Sequence, residues 1–153
     1  MEVKLLRANQ EDAEQIHEMQ IEAFRELLEK YQDFDTSPGN ETIEKVLGRL
    51  MQEFTYYYFV CLGKQKVGAI RIVDEKGKNK RISPLFVLPT FWGQGIAQEA
   101  IRLCEDIHGS EHWELATILQ EEKNCYLYEK MGYRKTGKTK AINEKLTLVF
   151  YQK

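Results

Sequence analysis

The chain has 153 residues, 42% of them hydrophobic, and its 22 basic and 24 acidic residues leave a formal net charge of -2. That length and apolar content suit one compact domain over residues 1–153 with a full core. The near-neutral balance makes no electrostatic case for nucleic acid or an anionic membrane as partner. No run approaches the length that spans a bilayer, and the opening MEVKLLRANQ lacks the apolar stretch of a secretory signal, so the expected location is cytoplasmic. Cys61, Cys104 and Cys125 are odd in number and lack metal-type spacing, so they read as reduced core thiols and no metal site is expected.

Residues 3–7 predict a short strand, after which Asn9 offers a cap to a helix whose apolar positions Ala13, Ile16, Met19, Ala23, Phe24, Leu27 and Leu28 share one face. The stretch 32–41 is turn-rich around Ser37, Pro38 and Gly39, and Asn40 or Thr42 then caps a second helix through Ile43, Val46, Leu47 and Leu50. Residues 54–62 and 66–73 are β-prone and joined by Gly63, Lys64 and Gln65, the pattern of a hairpin. Its aromatic cluster, Tyr56, Tyr57, Tyr58 and Phe59, reads as sheet packing.

The next strand carries Ile82, Leu85, Phe86, Val87 and Leu88, and Pro84 within it predicts a bulge because proline has no NH to give the ladder. Gly93 and Gly95 follow, then a helix running through Ile96, Ala97, Gln98 and onward to Cys104. Two readings stand here: a helix that starts after a glycine turn, or a cradle of main-chain NH groups for a phosphate or pyrophosphate. A dinucleotide fingerprint needs a third small residue where Gln98 stands, and no Lys-Ser/Thr pair follows for a nucleoside triphosphate loop. Residues 113–119 predict a strand, 121–131 a short helix ended by Gly132, and 133–138 and 145–151 two last strands. The order is βααβββαβαββ, an α/β chain with a mixed sheet and helices on it.

The glycine loop, the opening LLRANQEDAEQI and the stretch NCYLYEKMGY at 124–133 together resemble the GNAT superfamily of acetyl-CoA-dependent N-acetyltransferases over essentially the whole chain. That family's signature is Arg or Gln, two residues, Gly, one residue, then Gly or Ala; Gly95, Ile96 and Ala97 supply its end, with Gly93 before them. Its later Asn…Leu-Tyr-Glu-Lys-Leu-Gly-Phe element is matched by Asn124, Leu127, Tyr128, Glu129, Lys130, Met131, Gly132 and Tyr133.

The resemblance implies parallel strands that splay apart on either side of the glycine helix. Acetyl-CoA would be the cosubstrate, without a metal. Its pyrophosphate would lie on Gly93, Gln94, Gly95, Ile96, Ala97 and Gln98, and its pantetheine arm along Leu85, Phe86 and Val87, with Asn124 as a further contact. Tyr128 would be the general acid for the departing thiolate. The acceptor would be a primary amine of a small molecule or peptide, attacking directly in a ternary complex, and homodimers are frequent in such folds.

Two positions depart from the family pattern. Trp92 stands where Arg or Gln opens the signature, and Arg81 where members often carry a Glu that serves as general base. Glu121 and Glu114 are substitutes, each readable as a general base or as a solvated or salt-paired carboxylate. A non-catalytic acyl-CoA-binding regulatory module is therefore the alternative function. Glu22, Glu26, Glu29, Asp33 and Asp35 either favour a cationic amine or form a solvated helix face. His17, His108 and His112 are scattered and read as surface or core residues, and Cys125 as a packed thiol.

Overall fold

The computed structural model describes residues 2–153. Its elements are β1 (Val3–Arg7), α1 (Ala13–Tyr31), α2 (Ile43–Leu50), β2 (Thr55–Leu62), β3 (Gln65–Val73), β4 (Lys80–Val87), α3 (Ile96–His108), β5 (Trp113–Ile118), α4 (Glu122–Lys130), β6 (Arg134–Ala141) and β7 (Thr147–Gln152), in the expected order. They build one seven-stranded mixed sheet, β1-β2-β3-β4-β5-β7-β6.

α1 buries Ala13, Ile16, Met19, Gln20 and Ala23, a stripe at helical spacing. A capping box between Asn9 and Asp12 opens a 3₁₀ turn ahead of it, so Asn9 caps that turn and not α1 itself. The helix runs three residues past Leu28, the last apolar position expected on its face, and ends where Gln32 turns left-handed and returns its NH to the Leu28 carbonyl at 2.7 Å. Thr42 caps α2 through the NH of Lys45.

The helices divide between the two faces of the sheet. One core cluster packs Ile96, Ala100, Ile101 and Cys104 of α3 against Ile70, Ile72, Trp113, Val149 and Tyr151; the other packs Ile16, Met19 and Val46 against Tyr57, Phe59, Ala69 and Phe86. Burying side chains of this size is worth about 1.5–3 kcal/mol each. β3 and β4 approach so closely that a Cβ on Gly68 would stand 2.2 Å from the Phe86 carbonyl oxygen, so only glycine fits there.

The expected bulge lies at Pro84. The β3–β4 register shifts between Ile70 and Ile72, whose partners are Leu85 and Ile82, so Arg71 faces both Ser83 and Pro84. Beyond this point β4 and β5 part: their parallel pairing is confined to Lys80 with Trp113 and Arg81 with Glu114, at the start of each strand. The rest of β4 and β5 bounds an open wedge.

Candidate active site

A cleft of about 940 Å³ occupies that wedge and reaches the N-terminus of α3 at one end and the end of α1 at the other. Its β4 wall is Leu85, Phe86 and Val87. The NH of Leu88 bonds the Val67 carbonyl at 2.8 Å and Phe86 pairs with Ala69, so strand alternation turns the main-chain groups of Leu85 and Val87 away from β3 and into the wedge. Trp92 takes one of them: its indole NH donates to the Val87 carbonyl at 2.6 Å. The side chain at the departing signature position thus ties the loop to the strand end, and the Val87 NH and the Leu85 groups stay open.

Gly93 and Gly95 both hold left-handed backbones, φ 79° and 75°, with nothing within 4 Å of an added Cβ. Conformation, not crowding, calls for glycine at these positions. Gly95 caps α3 without any side-chain bond, which leaves the first NH groups of that 13-residue helix unpaired toward the cleft. Gly93, Gly95, Ile96, Ala97 and Gln98 line the cleft; Gln94, between the glycines, is exposed and does not.

On the opposite wall α4 presents Asn124 and Tyr128 one turn apart. The Tyr128 ring is fixed edge-on to Tyr133 at 6.0 Å and tilted against Tyr151 at 6.2 Å. Tyr31, Tyr133 and Tyr151 give their hydroxyls to Glu121, Glu105 and Glu129. The Tyr128 hydroxyl donates to no group among the described residues, and burial, with a smaller contribution from Cys125, pushes its phenol up to about 12. It is a protonated phenol on the cleft wall.

Glu121 stands at the end of β5, just before α4, in the part of the cleft below α1. Its carboxylate accepts a very short bond from Tyr31 and one of 2.9 Å from Lys30. Burial pushes this carboxyl up, but the Tyr31 and Lys30 hydrogen bonds outweigh it and hold it below the ordinary range. Salt pairing and a place in the cleft are therefore both true of Glu121. Glu114 is elsewhere, in a separate depression of about 250 Å³ beside Glu75, Lys78 and Arg81.

Of the five acids around the first loop, Glu26 and Asp33 line the cleft. Asp33 is buried and accepts from the Thr36 NH at 2.9 Å and from its hydroxyl, which fixes the loop. Lys30 and Tyr31 were not singled out in the sequence. The signal was present, since Tyr31 continues the spacing set by Leu27 and Leu28.

The model of the Acetyltransferase (GNAT) family matches residues 13–133. The chain belongs to the GNAT acetyltransferases. No curated protein sequence matches it. Solved GNAT structures share the fold at low identity. The PaiA N-acetyltransferase from Thermoplasma acidophilum, in complex with coenzyme A, superimposes with TM-score 0.74 at 15% identity over 100% of both chains. The spermidine N-acetyltransferase from Vibrio cholerae, with coenzyme A and spermine, gives 0.75 at 16% identity, covering 97% of this chain and 93% of that one. An acetyltransferase from Salmonella typhimurium that modifies the N-terminal serine of ribosomal protein L7/L12 gives 0.75 at 14% identity, over 97% and 92%. Two of the three histidines of this GNAT chain are held by structural bonds, His17 to the Glu41 carbonyl and His108 to the Tyr58 hydroxyl, each at 2.9 Å, and His112 is exposed.

Proposed function

We propose that this protein moves the acetyl group of acetyl-CoA to a primary amine, in the cytoplasm, by direct attack within a ternary complex. The observation that carries this reading is the single cleft that joins the glycine turn of α3, the open main-chain groups of β4 and the unpaired hydroxyl of Tyr128. An extended amide arm ending in a pyrophosphate is the ligand those groups fit: NH and carbonyl groups along Leu85 and Val87, then unpaired NH groups with the α3 dipole behind them. The Val87 NH is placed to polarise a thioester carbonyl, and Tyr128 to donate to the sulfur as the C–S bond breaks. Asn124 borders the same space.

The acceptor side carries Glu26, Asp33, Glu121 and Glu122 against Lys30 and Lys123, an acidic excess that favours an amine arriving as a cation. Such an amine, with a pKa of about 10.4, is roughly one part in a thousand neutral at pH 7. Glu121 is too weak a base to abstract that proton outright; it attracts the ammonium and orients a water that carries the proton away. Among the described residues no helix is long and apolar enough to cross a membrane, which is compatible with the cytoplasmic placing.

The test is acetyl-CoA turnover followed by thiol release, over polyamines, aminoglycosides, amino acids and lysine peptides, with acetyl-CoA binding measured alongside. Amine-dependent release is the expected result. Tight binding without release from any amine would transfer the case to a non-catalytic acyl-CoA-binding module, and no binding at all would remove the reading of the glycine turn.

A further inference from the structure

The second half of the sheet has one face that neither core cluster uses. Trp113, Leu115, Val149 and Tyr151 point toward α3 and α4. Their neighbours along the strands point the other way and form rows across β5, β7 and β6: Ile118, Leu148 and Lys140 in one, Ala116 and Phe150 in the next. Lys138 completes the second row, its ammonium 4.6 Å from the centre of the Phe150 ring. Ala116, Ile118 and Leu148 also line the cleft, so this face begins at the acceptor mouth and ends at the sheet edge.

That edge is basic and open. All eight residues of β6 are exposed, and five of the twelve residues from 134 to 145 are cationic (Arg134, Lys135, Lys138, Lys140 and Lys145) against one acid, Glu144. Of the seventeen cations elsewhere in the chain seven meet a carboxylate, among them Arg49 with Glu41 and Lys153 with Glu105, whereas none of these five does among the described residues.

We propose that this face docks an acidic polypeptide segment whose own amine is the acceptor; the proposal rests on the acetyl-transfer reading above. Charge complementarity selects the occupant. A second copy of the chain would set the same cations against each other across a two-fold axis. A nucleic acid would meet cations confined to one strand and then apolar rows, whereas a polypeptide offers side chains to Leu148 and Phe150 and main-chain groups to the unpaired edge of β6. From β5 to β6 is two strand spacings, about 10 Å, or roughly three extended residues. The acidic side chains should therefore begin about three residues from the acetylated amine.

The experiment compares peptides with one primary amine, at the N-terminus, followed from the third residue by Asp and Glu or by Asn and Gln. With the native protein the acidic peptide should show kcat/KM higher by about tenfold at low salt, a gap that closes as salt screens it. Lys138→Glu/Lys140→Glu, at exposed positions, should abolish the preference while leaving spermidine turnover and the melting temperature unchanged. Equal turnover of the two peptides, or a preference that survives the double variant, would overturn the proposal and leave the lysines as guards of an edge strand. An N-terminally blocked acidic peptide separates the two readings: its binding to the native protein but not the variant, together with no acetylation of the free-amine peptides or of spermidine, would keep the docking face and remove acetyl transfer. Tighter binding of a single-stranded RNA that displaces the peptide would overturn the polypeptide assignment.

Discussion

Burial holds the Tyr128 phenol near 12, against about 8.5 for a free thiol, so the residue is fully protonated wherever the enzyme would work. On the acetyl-transfer reading proposed above, its value would be as a hydrogen-bond donor to the developing thiolate, since a phenol near 12 does not release its proton fully to a thiolate of about 8.5. Because the hydroxyl bonds nothing among the described residues, Tyr128→Phe should leave stability and coenzyme affinity almost unchanged while lowering turnover by about ten- to a thousand-fold. Unaltered turnover, measured by thiol release, would remove the role. Gly95 tests the other end of the cleft. With φ 75° and open space around it, Gly95→Ala should cost about 1 kcal/mol in denaturant unfolding and weaken coenzyme A binding modestly; Gly95→Glu should abolish binding in calorimetry, because a carboxylate would then fill the proposed phosphate position. Both residues were legible in the sequence, since glycine spacing and a tyrosine in its motif are local signals. The partners of Glu121 were not: Lys30 and Tyr31 lie about ninety residues away along the chain, and only the docking of α1's end on the β5–α4 junction brings them there.

At the scale of elements, two half-buried networks hold the strands and loops that frame the cleft. Arg49 grips Glu41 with two bonds of 2.6 and 2.7 Å, and Gln20 adds a third at 2.8 Å, tying α1 and α2 to the loop before α2. Burial pushes the Glu41 carboxyl up, but the Arg49 bonds and charge prevail and its folded-state value falls below the ordinary one. A depressed carboxylate contributes stability that is complete above its unfolded pKa, about 4.3, and is lost as pH drops through the lower folded value. Glu41→Gln should therefore be less stable at neutral pH, by about 3 kcal/mol, and should lose less of its melting temperature between neutral pH and pH 3 than the native chain. A parallel decline in both would discount Glu41. Arg71 holds the bulge: its guanidinium donates to the Ser83 carbonyl at 2.8 Å and to Gln52 at 2.9 Å, while its Nε has no partner among the described residues and burial lowers the guanidinium's pKa to about 10. Proline announced that bulge in the sequence through its missing NH. Nothing local announced the arginine behind it, whose importance depends on facing both Ser83 and Pro84 across the register shift.

The whole molecule is a sheet opened between β4 and β5, with its two core clusters on opposite faces and no main-chain ladder bridging the wedge beyond Arg81 and Glu114. Element order was readable because each strand and helix has its own periodicity; the opening was implied only through the family resemblance, since the failure of two strands to pair is a property of neither strand alone. An opening of this kind has a thermodynamic consequence. A ligand that binds only the folded chain stabilises it by about 2.7 kcal/mol at a hundred times its Kd. For a chain of this length each kcal/mol raises the melting temperature by about 2–4 °C. Saturating coenzyme A should thus raise it by roughly 5–10 °C, read by thermal unfolding at several ligand concentrations. The rise should persist in Tyr128→Phe, which keeps the cradle, and vanish in Gly95→Glu, which loses it. If both variants keep the rise, the ligand that bridges the wedge does not depend on the α3 glycine turn, and the site's polarity must be drawn anew from the acidic end.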